Sequence, residues 1–280
     1  MSSSTAFSEE ALVRRPVVAG QFYSADPAAL RREVAGYLAG ADPSLTGPAL
    51  LAMVPHAGYV YSGAVAGRAL GAAALPDTVL LLGPNHTGRG QRLAVWPGGA
   101  WEIPGGAVPV DAELARALCA ADDRLVPDVQ AHVGEHSLEV VLPFLWVKNP
   151  ATRIVPVAVS EPDPRVLAAV GAAMAGVLGD IPERVGIVVS SDMSHYVPRE
   201  AARERDALAL TRVLDLDPLG LWDVVRREGI TMCGVLPMAL GLFIAKALGA
   251  REAVMAAYAT SGEVTGDMEQ VVGYAGVIVR

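Results

Sequence analysis

The sequence has few of the features of an exported, membrane-spanning or disulfide-rich protein. Its 280 residues include two cysteines, Cys119 and Cys233, and no C-x-x-C pair. A disulfide framework is therefore excluded, and we expect a reducing, cytoplasmic setting. The most apolar stretches, 166–179 and 235–245, are shorter than the roughly 18 residues that span a bilayer, so no membrane partner is expected. Residues 1–10 have no apolar core, and no signal peptide is predicted.

Basic residues are outnumbered by acidic ones. The chain has 22 Lys and Arg against 30 Asp and Glu, a formal net charge of −8, and no basic cluster interleaved with aromatic residues. Because binding to nucleic acid requires a basic surface, we do not expect a nucleic-acid partner. The G-x-S-x-G motif that exposes the nucleophilic serine of many hydrolases is also absent.

The composition is that of a globular α/β protein. Hydrophobic residues make up 52% of the chain and charged residues 19%. Apolar runs typical of buried strands alternate with helical patterns, which predicts a mixed, largely parallel central sheet flanked by helices on both faces. No internal repeat and no convincing linker divides the chain. We therefore expect a disordered tail over residues 1–12 and a single domain over residues 13–280.

Three of the five histidines stand where an apolar run ends. His56 follows the run 50–54, His86 follows 78–82, and His195 follows 186–189. Ligands of α/β sheets bind at the carboxyl ends of the strands, where the loops converge. Histidine is a good metal ligand and proton carrier at neutral pH. If the strands ending at His56 and His86 are neighbours, both rings lie at one edge of the sheet and can share a site.

Polar residues beside these histidines are candidates for supporting roles. Asn85 could hold the imidazole of His86 through a hydrogen bond. Asp192 and His195 could form a carboxylate–imidazole pair that fixes the ring tautomer and raises its basicity. Glu135 and His136 begin a predicted short helix over 135–142, which ends near a proline. The alternative for each of these residues is an ordinary hydrogen bond within a loop.

Cys233 precedes the apolar helix predicted over 236–248. A helix N-terminus lowers the pKa of a nearby thiol, and the thiolate is both a metal ligand and a nucleophile. The alternative is a small buried hydrophobic residue, as most free cysteines are. His132 and His136 have a four-residue spacing that zinc sites use, although Gly134 between them weakens the helix that would align them.

Seven ordered blocks of sequence resemble the MEMO family, the B component of the AmmeMemoRadiSam system. They are residues 15–23 (RPVVAGQFY), 56–59 (HAGY) with 61–63 (YSG), 82–88 (LGPNHTG), 135–139 (EHSLE) with 142–144 (LPF), 190–196 (SSDMSHY), 233–234 (CG), and 260–262 (TSG) with 272–275 (VGYA). The blocks extend over nearly the whole chain, which makes the resemblance far more specific than any single motif.

The resemblance implies a fold similar to that of the class III extradiol dioxygenases, which are non-haem iron enzymes. It implies one transition-metal ion, Fe(II) first and Cu or Zn as alternatives, held by His56, His86 and Cys233. His195 would be the catalytic acid or base, with Asp192 beside it. The expected substrate or supporting contacts are Asn85, Glu135, His136, Tyr59 and Ser191. Cysteine stands where the dioxygenases have a carboxylate ligand, so ring cleavage itself is not inferred.

Three functions are compatible with this pattern. The first is a metal-dependent oxidoreductase, dioxygenase-like, that acts on a small molecule. The second is a non-catalytic metal- or peptide-binding protein with a signalling or scaffold role, for which the resemblance implies peptides of the phosphotyrosine type. The third is a zinc-dependent hydrolase. The resemblance also implies radical-SAM and AMMECR-type proteins as possible partners.

Overall fold

A computed structural model describes residues 12–181 and 185–280; residues 1–11 of the predicted tail lie outside this range. The strands are β1 Val13–Arg14, β2 Gly47–Pro48, β3 Leu51–Val54, β4 Ala73–Ala74, β5 Thr78–Pro84, β6 Leu93–Val95, β7 Ala100–Ile103, β8 Gly106–Pro109, β9 Val126–Pro127, β10 Arg153–Val159, β11 Val185–Ser190, β12 His195–Val197, β13 Ala253–Thr260 and β14 Val271–Val279. The helices are α1 Pro27–Ala39, α2 Tyr59–Ala72, α3 Ala112–Ala121, α4 Leu142–Lys148, α5 Pro164–Asp180, α6 Arg199–Leu214, α7 Pro218–Arg227, α8 Val235–Ala247 and α9 Gly262–Thr265.

The predicted α/β architecture is confirmed. The main sheet has the strand order β12-β14-β3-β11-β5-β10-β6-β9, with β13 paired to β14. Strands β3, β11, β5 and β10 run parallel, and β14 and β6 pair antiparallel with the two ends of this group. The sheet is thus mixed, with a parallel centre.

Alternate residues of the central strands pack against opposite layers of helices, because successive side chains of a strand point to opposite faces. Leu51 and Met53 of β3 belong to a core formed with α5 and α8, whereas Ala52 and Val54 belong to a core formed with α1 and α2. A sheet covered on both faces explains why these strands are continuous apolar runs rather than alternating ones.

The strand order brings the predicted histidines to one edge. Ile187 of β11 is in register with Leu51 of β3 on one side and with Leu80 of β5 on the other. β11 therefore lies between the strands that precede His56 and His86, which are not direct neighbours as the sequence had suggested. All three strands run in the same direction, so their carboxyl ends still meet at one edge of the sheet.

The helix predicted over 135–142 is wrong in its bounds. Residues 135–136 have no regular structure, 137–138 form a turn, Glu139–Val141 is a short 3₁₀ helix, and α4 begins at Leu142. Pro143 lies in the first turn of α4, where backbone N–H groups have no acceptor within the helix, so the N–H that proline lacks costs no hydrogen bond. This proline therefore lies at the start of a helix and does not end one. Among the described residues, no helix is both long and apolar enough to cross a membrane.

Candidate metal centre

Three histidines gather at the carboxyl ends of the central strands. One ring nitrogen from each of His56, His86 and His136 lies within 4.8 Å of the other two, so the cluster could hold a metal ion. The ring centroids of His86 and His136 are 5.1 Å apart and nearly parallel, and that of His56 lies 5.2 Å from His86. His136, which the sequence suggested as a supporting contact, is thus the third member of the cluster.

The ring of His56 is buried and held in one orientation by Ser190. The hydroxyl of Ser190 donates to the carbonyl oxygen of Ser137 at 2.8 Å, so it accepts a hydrogen bond from Nδ1–H of His56 at 2.7 Å. Nε2 of His56 then carries the lone pair that can bind a metal ion. Burial, followed by the charges of His86 and His136, lowers the pKa of His56 well below its usual value and keeps the ring neutral.

His86 is held by Glu135. Burial tends to lower the pKa of His86, but the hydrogen bond between its Nδ1 and Oε1 of Glu135, at 2.9 Å, raises it overall. Burial likewise raises the pKa of Glu135, and the bond and charge of His86 outweigh this and lower it to about 2. Asn85, expected in this role, instead donates to the carbonyl of Arg89 and accepts from the backbone of Gly88.

Cys233 lies against the cluster. Its sulfur is 3.3 Å from Nε2 of His56, close to the separation of about 3.5 Å expected for nitrogen and sulfur ligands of one tetrahedral metal ion. The backbone N–H of Asp192 donates to the same sulfur. Burial, and then the charge of Asp192, raise the pKa of the thiol. The expected lowering by the α8 N-terminus is therefore wrong, because desolvation outweighs the helix dipole.

His195 is oriented by Thr231 rather than by Asp192. The backbone N–H of His195 donates to Oγ1 of Thr231 at 2.7 Å, and its Nδ1 donates to the carbonyl of Thr231 at 3.0 Å. The hydrogen bond to the carbonyl fixes the ring tautomer, so Nε2 is the free nitrogen. Asp192 instead accepts from the backbone N–H of His56 at 2.8 Å.

A cavity of about 380 Å³ opens over the cluster. It is lined by four histidines, one carboxylate, four large aromatic side chains and a few smaller groups: His56, His86, His136, His195, Asp192, Phe22, Tyr61, Tyr196, Tyr274, Gln21, Ala57, Gly58 and Val272. None of these lining residues is Lys or Arg. The cavity therefore suits a small ligand, and its described lining offers no Lys or Arg side chain to an anion.

Tyr59 and Ser191, two other expected site residues, support the site from outside the cavity. The hydroxyl of Tyr59 donates to the carbonyl of Val140 at 2.7 Å within the core. The hydroxyl of Ser191 accepts from the backbone N–H of Gly234 at 3.1 Å, which ties the segment carrying Cys233 to the end of β11.

One wall of the cavity is fixed by a buried ion pair that the sequence did not reveal. Arg14 Nη1 lies 2.7 Å from Oε2 of Glu139, and both side chains are buried. The same carboxylate accepts from the backbone N–H of Val17 at 2.8 Å and from the hydroxyl of Tyr23 at 2.7 Å. These bonds hold the segment that carries Phe22, whose ring contacts that of His136 edge-on with centroids 5.0 Å apart.

Comparison with known proteins identifies the family. The family model described as "Memo-like protein" matches residues 14–278. The chain belongs to the Memo-like protein family. A MEMO1 family protein of Methanopyrus kandleri is 40% identical over 279 residues, covering 95% of this chain and 99% of the relative. A MEMO1 family protein of Aquifex aeolicus is 41% identical over 267 residues, with 95% and 98% covered.

The fold of this Memo-like chain is also found among solved structures. An uncharacterized protein from Escherichia coli K12 matches with a TM-score of 0.56, covering 81% of this chain and 98% of that one. The sequences are 13% identical, so the match supports the architecture alone.

Proposed function

We propose that this Memo-like protein is a metal-dependent oxidoreductase that acts on a small molecule, with one Fe(II) ion bound by His56 and His86. The observation that carries the proposal is the fixed tautomer of both rings. Each ring donates its Nδ1–H, His56 to Ser190 and His86 to Glu135, so each keeps an Nε2 lone pair for a metal. Nitrogen ligands of this kind suit first-row transition metals.

Two residues are candidates for the third metal ligand. His136 completes the cluster of mutually close nitrogen atoms. Cys233 is the ligand that the family resemblance implies, and its sulfur lies 3.3 Å from His56 Nε2. We propose Cys233 as the ligand, on the family resemblance and on the closeness of its sulfur to His56. His136 lines the open cavity together with His56 and His86, and we propose it as a neighbour that contacts substrate. When bound, the iron would supply open coordination positions for dioxygen or substrate.

His195 is the proposed acid or base. Its Nδ1–H is committed to the carbonyl of Thr231, so Nε2 is the atom that accepts or returns a proton from a substrate in the cavity. Asp192 lies in the same cavity and, through its bond to the backbone of His56, holds the loop after β3 in place. Phe22 and Tyr274 add apolar surface that limits water around the substrate.

The alternatives use the same residues differently. A zinc-dependent hydrolase would need the same two histidines and Cys233, so the metal retained on purification decides between it and the oxidoreductase. Recognition of a phosphotyrosine peptide is disfavoured, because phosphate binding usually needs arginine or lysine and none lines the cavity. Association with radical-SAM and AMMECR-type proteins stays a prediction of the family resemblance.

The experiment is an oxygen-uptake assay. Protein loaded with Fe(II) without oxygen is mixed with a panel of reducing and aromatic small molecules, and dioxygen consumption is recorded. We expect uptake with at least one compound, and we expect His195→Gln to lower turnover while the iron content stays that of the unaltered protein. Equal loss of iron and turnover in His195→Gln would make His195 a ligand, and no uptake with any compound would contradict the oxidoreductase proposal.

A further inference from the structure

A second cavity, of about 550 Å³, lies at the other end of the same central strands. Leu50 directly precedes β3, Pro76 lies two residues before β5, and Val185 is the first residue of β11. These are the strands whose carboxyl ends lead to the histidine cluster. The cavity is therefore separated from the candidate metal centre by the length of the parallel strands.

The described side chains that line this cavity are apolar except at one point. They comprise one charged side chain and nine apolar residues: Arg280, Pro48, Ala49, Leu50, Ala74, Leu75, Pro76, Leu178, Val185 and Leu248. None of the lining residues that the structure describes is Asp, Glu or His. Volumes of roughly 300–1,000 Å³ with mostly apolar walls and few polar groups are typical of small-molecule sites.

Arg280 supplies the charged group of this cavity. One of its guanidinium nitrogens, Nη2, donates to the carbonyl of Leu45, whereas Nε is buried and has no hydrogen-bond partner among the residues that the structure describes. Its main-chain oxygen is already engaged by the backbone N–H groups of Arg251 and Glu252. Because Nε is covered by protein atoms, a ligand in the cavity would contact the part of the Arg280 side chain that lines it.

We propose that this cavity binds a small carboxylic acid with an apolar body, such as a medium-chain fatty acid. A carboxylate can accept from the guanidinium of Arg280, since planar guanidinium groups match carboxylates in geometry and charge. The hydrocarbon part would be removed from water by residues such as Leu75, Leu178 and Leu248. Arg280 would repel an organic cation here, and this site is independent of the function proposed for the histidine cluster.

Isothermal titration calorimetry of the full chain tests the proposal. Octanoate is the probe, and 1-octanol, which has the same chain without the charge, is the matched comparison. We expect one octanoate per chain, and binding at least tenfold weaker for octanol. Arg280→Gln should weaken octanoate at least tenfold, Arg280→Lys should weaken it less, and Arg251→Gln, which alters an exposed arginine outside the lining, should leave it unchanged.

A carboxylate could also bind a metal at the histidine cluster, so the titrations use metal-free protein in the presence of a chelator. Binding that persists in His86→Ala supports the cavity beside Arg280, and binding that is lost in His86→Ala contradicts it. Equal affinity for octanoate and octanol, unchanged binding in Arg280→Gln, or no octanoate binding would each overturn the proposal. If Arg280→Gln does not fold, the ratio of the affinities of the unaltered chain for octanoate and octanol tests the proposal.

Discussion

Glu135 binds His86 twice, through the backbone N–H and through the imidazole Nδ1. The same carboxylate accepts from the backbone N–H of Ser137, so its own position is fixed as well. This arrangement holds the ring of His86 at a set angle beside His56 and leaves its Nε2 free. In metal sites, such carboxylate–histidine pairs fix the tautomer and strengthen the ligand.

Replacing Glu135 by Gln should weaken metal binding. The amide can still accept a hydrogen bond, but it lacks the charge that supports the ring, and loss of such a partner typically costs about 10–100-fold in metal affinity. Competition titration with a chromophoric chelator measures the effect. Asn85→Ala is the matched control, because Asn85 neighbours His86 and bonds only its own loop. Equal affinities for Glu135→Gln and the control would contradict the role assigned to Glu135.

Cys233 should be visible as a ligand in cobalt-substituted protein. If the sulfur binds the metal, the Co(II) form should show a thiolate-to-metal charge-transfer band in the near ultraviolet, and Cys233→Ser should abolish it. His136→Gln should keep the band, because His136 is assigned to the substrate side of the cavity. The reverse pattern, with no band in the unaltered protein and loss of metal in His136→Gln, would make the site one of three histidines.

The Arg14–Glu139 pair should contribute strongly to stability. Removing one partner of a buried ion pair leaves an uncompensated charge and typically costs about 3–5 kcal/mol. We expect Arg14→Met to lower the free energy of unfolding in urea by an amount in this range, since Glu139 would stay buried. Arg165→Met, which removes an exposed ion pair with Asp163, serves as the control and should change the free energy of unfolding far less, because solvent screens the two charges. Similar losses in both variants would refute the special role of Arg14.

Asp206 should make stability depend on pH. Burial raises the pKa of this carboxyl above its usual 3.8, although bonds from Ser194 and Tyr258 oppose the shift. A carboxyl whose pKa is raised on folding favours the native state when protonated, so its contribution declines as pH rises from about 3.8 through the raised value. The free energy of unfolding of Asp206→Asn should therefore rise relative to that of the unaltered protein as the pH goes from acidic to neutral. A constant difference between the two proteins across this interval would contradict the shift.

Local sequence patterns predicted the fold and part of the site. The apolar runs before His56 and His86 are buried strands, and the periodic segments around them are helices on both faces of a mixed sheet. These features follow from side-chain period and from turn residues, which a sequence displays directly. The insertion of β11 between β3 and β5 is a matter of topology, and no local pattern encodes it.

The contacts that orient the site are the part that sequence could not supply. Asn85 adjoins His86 in the chain, yet its side chain is used by its own turn, and the partner of His86 is 49 residues away. Thr231, which orients His195, is separated from it by 36 residues. Such long-range hydrogen bonds depend on the packed fold. The prediction of a lowered thiol pKa for Cys233 was wrong for a similar reason, because the burial that raises this pKa depends on the packed fold.

The most direct test of the metal centre is the metal content of protein purified without oxygen and loaded with Fe(II), measured by mass spectrometry after removal of free ions. We predict one iron per chain in the unaltered protein and in Asn85→Ala, and loss of iron in His56→Ala and His86→Ala. Unaltered protein that retains no transition metal, or histidine variants that retain it fully, would contradict a metal centre at His56 and His86.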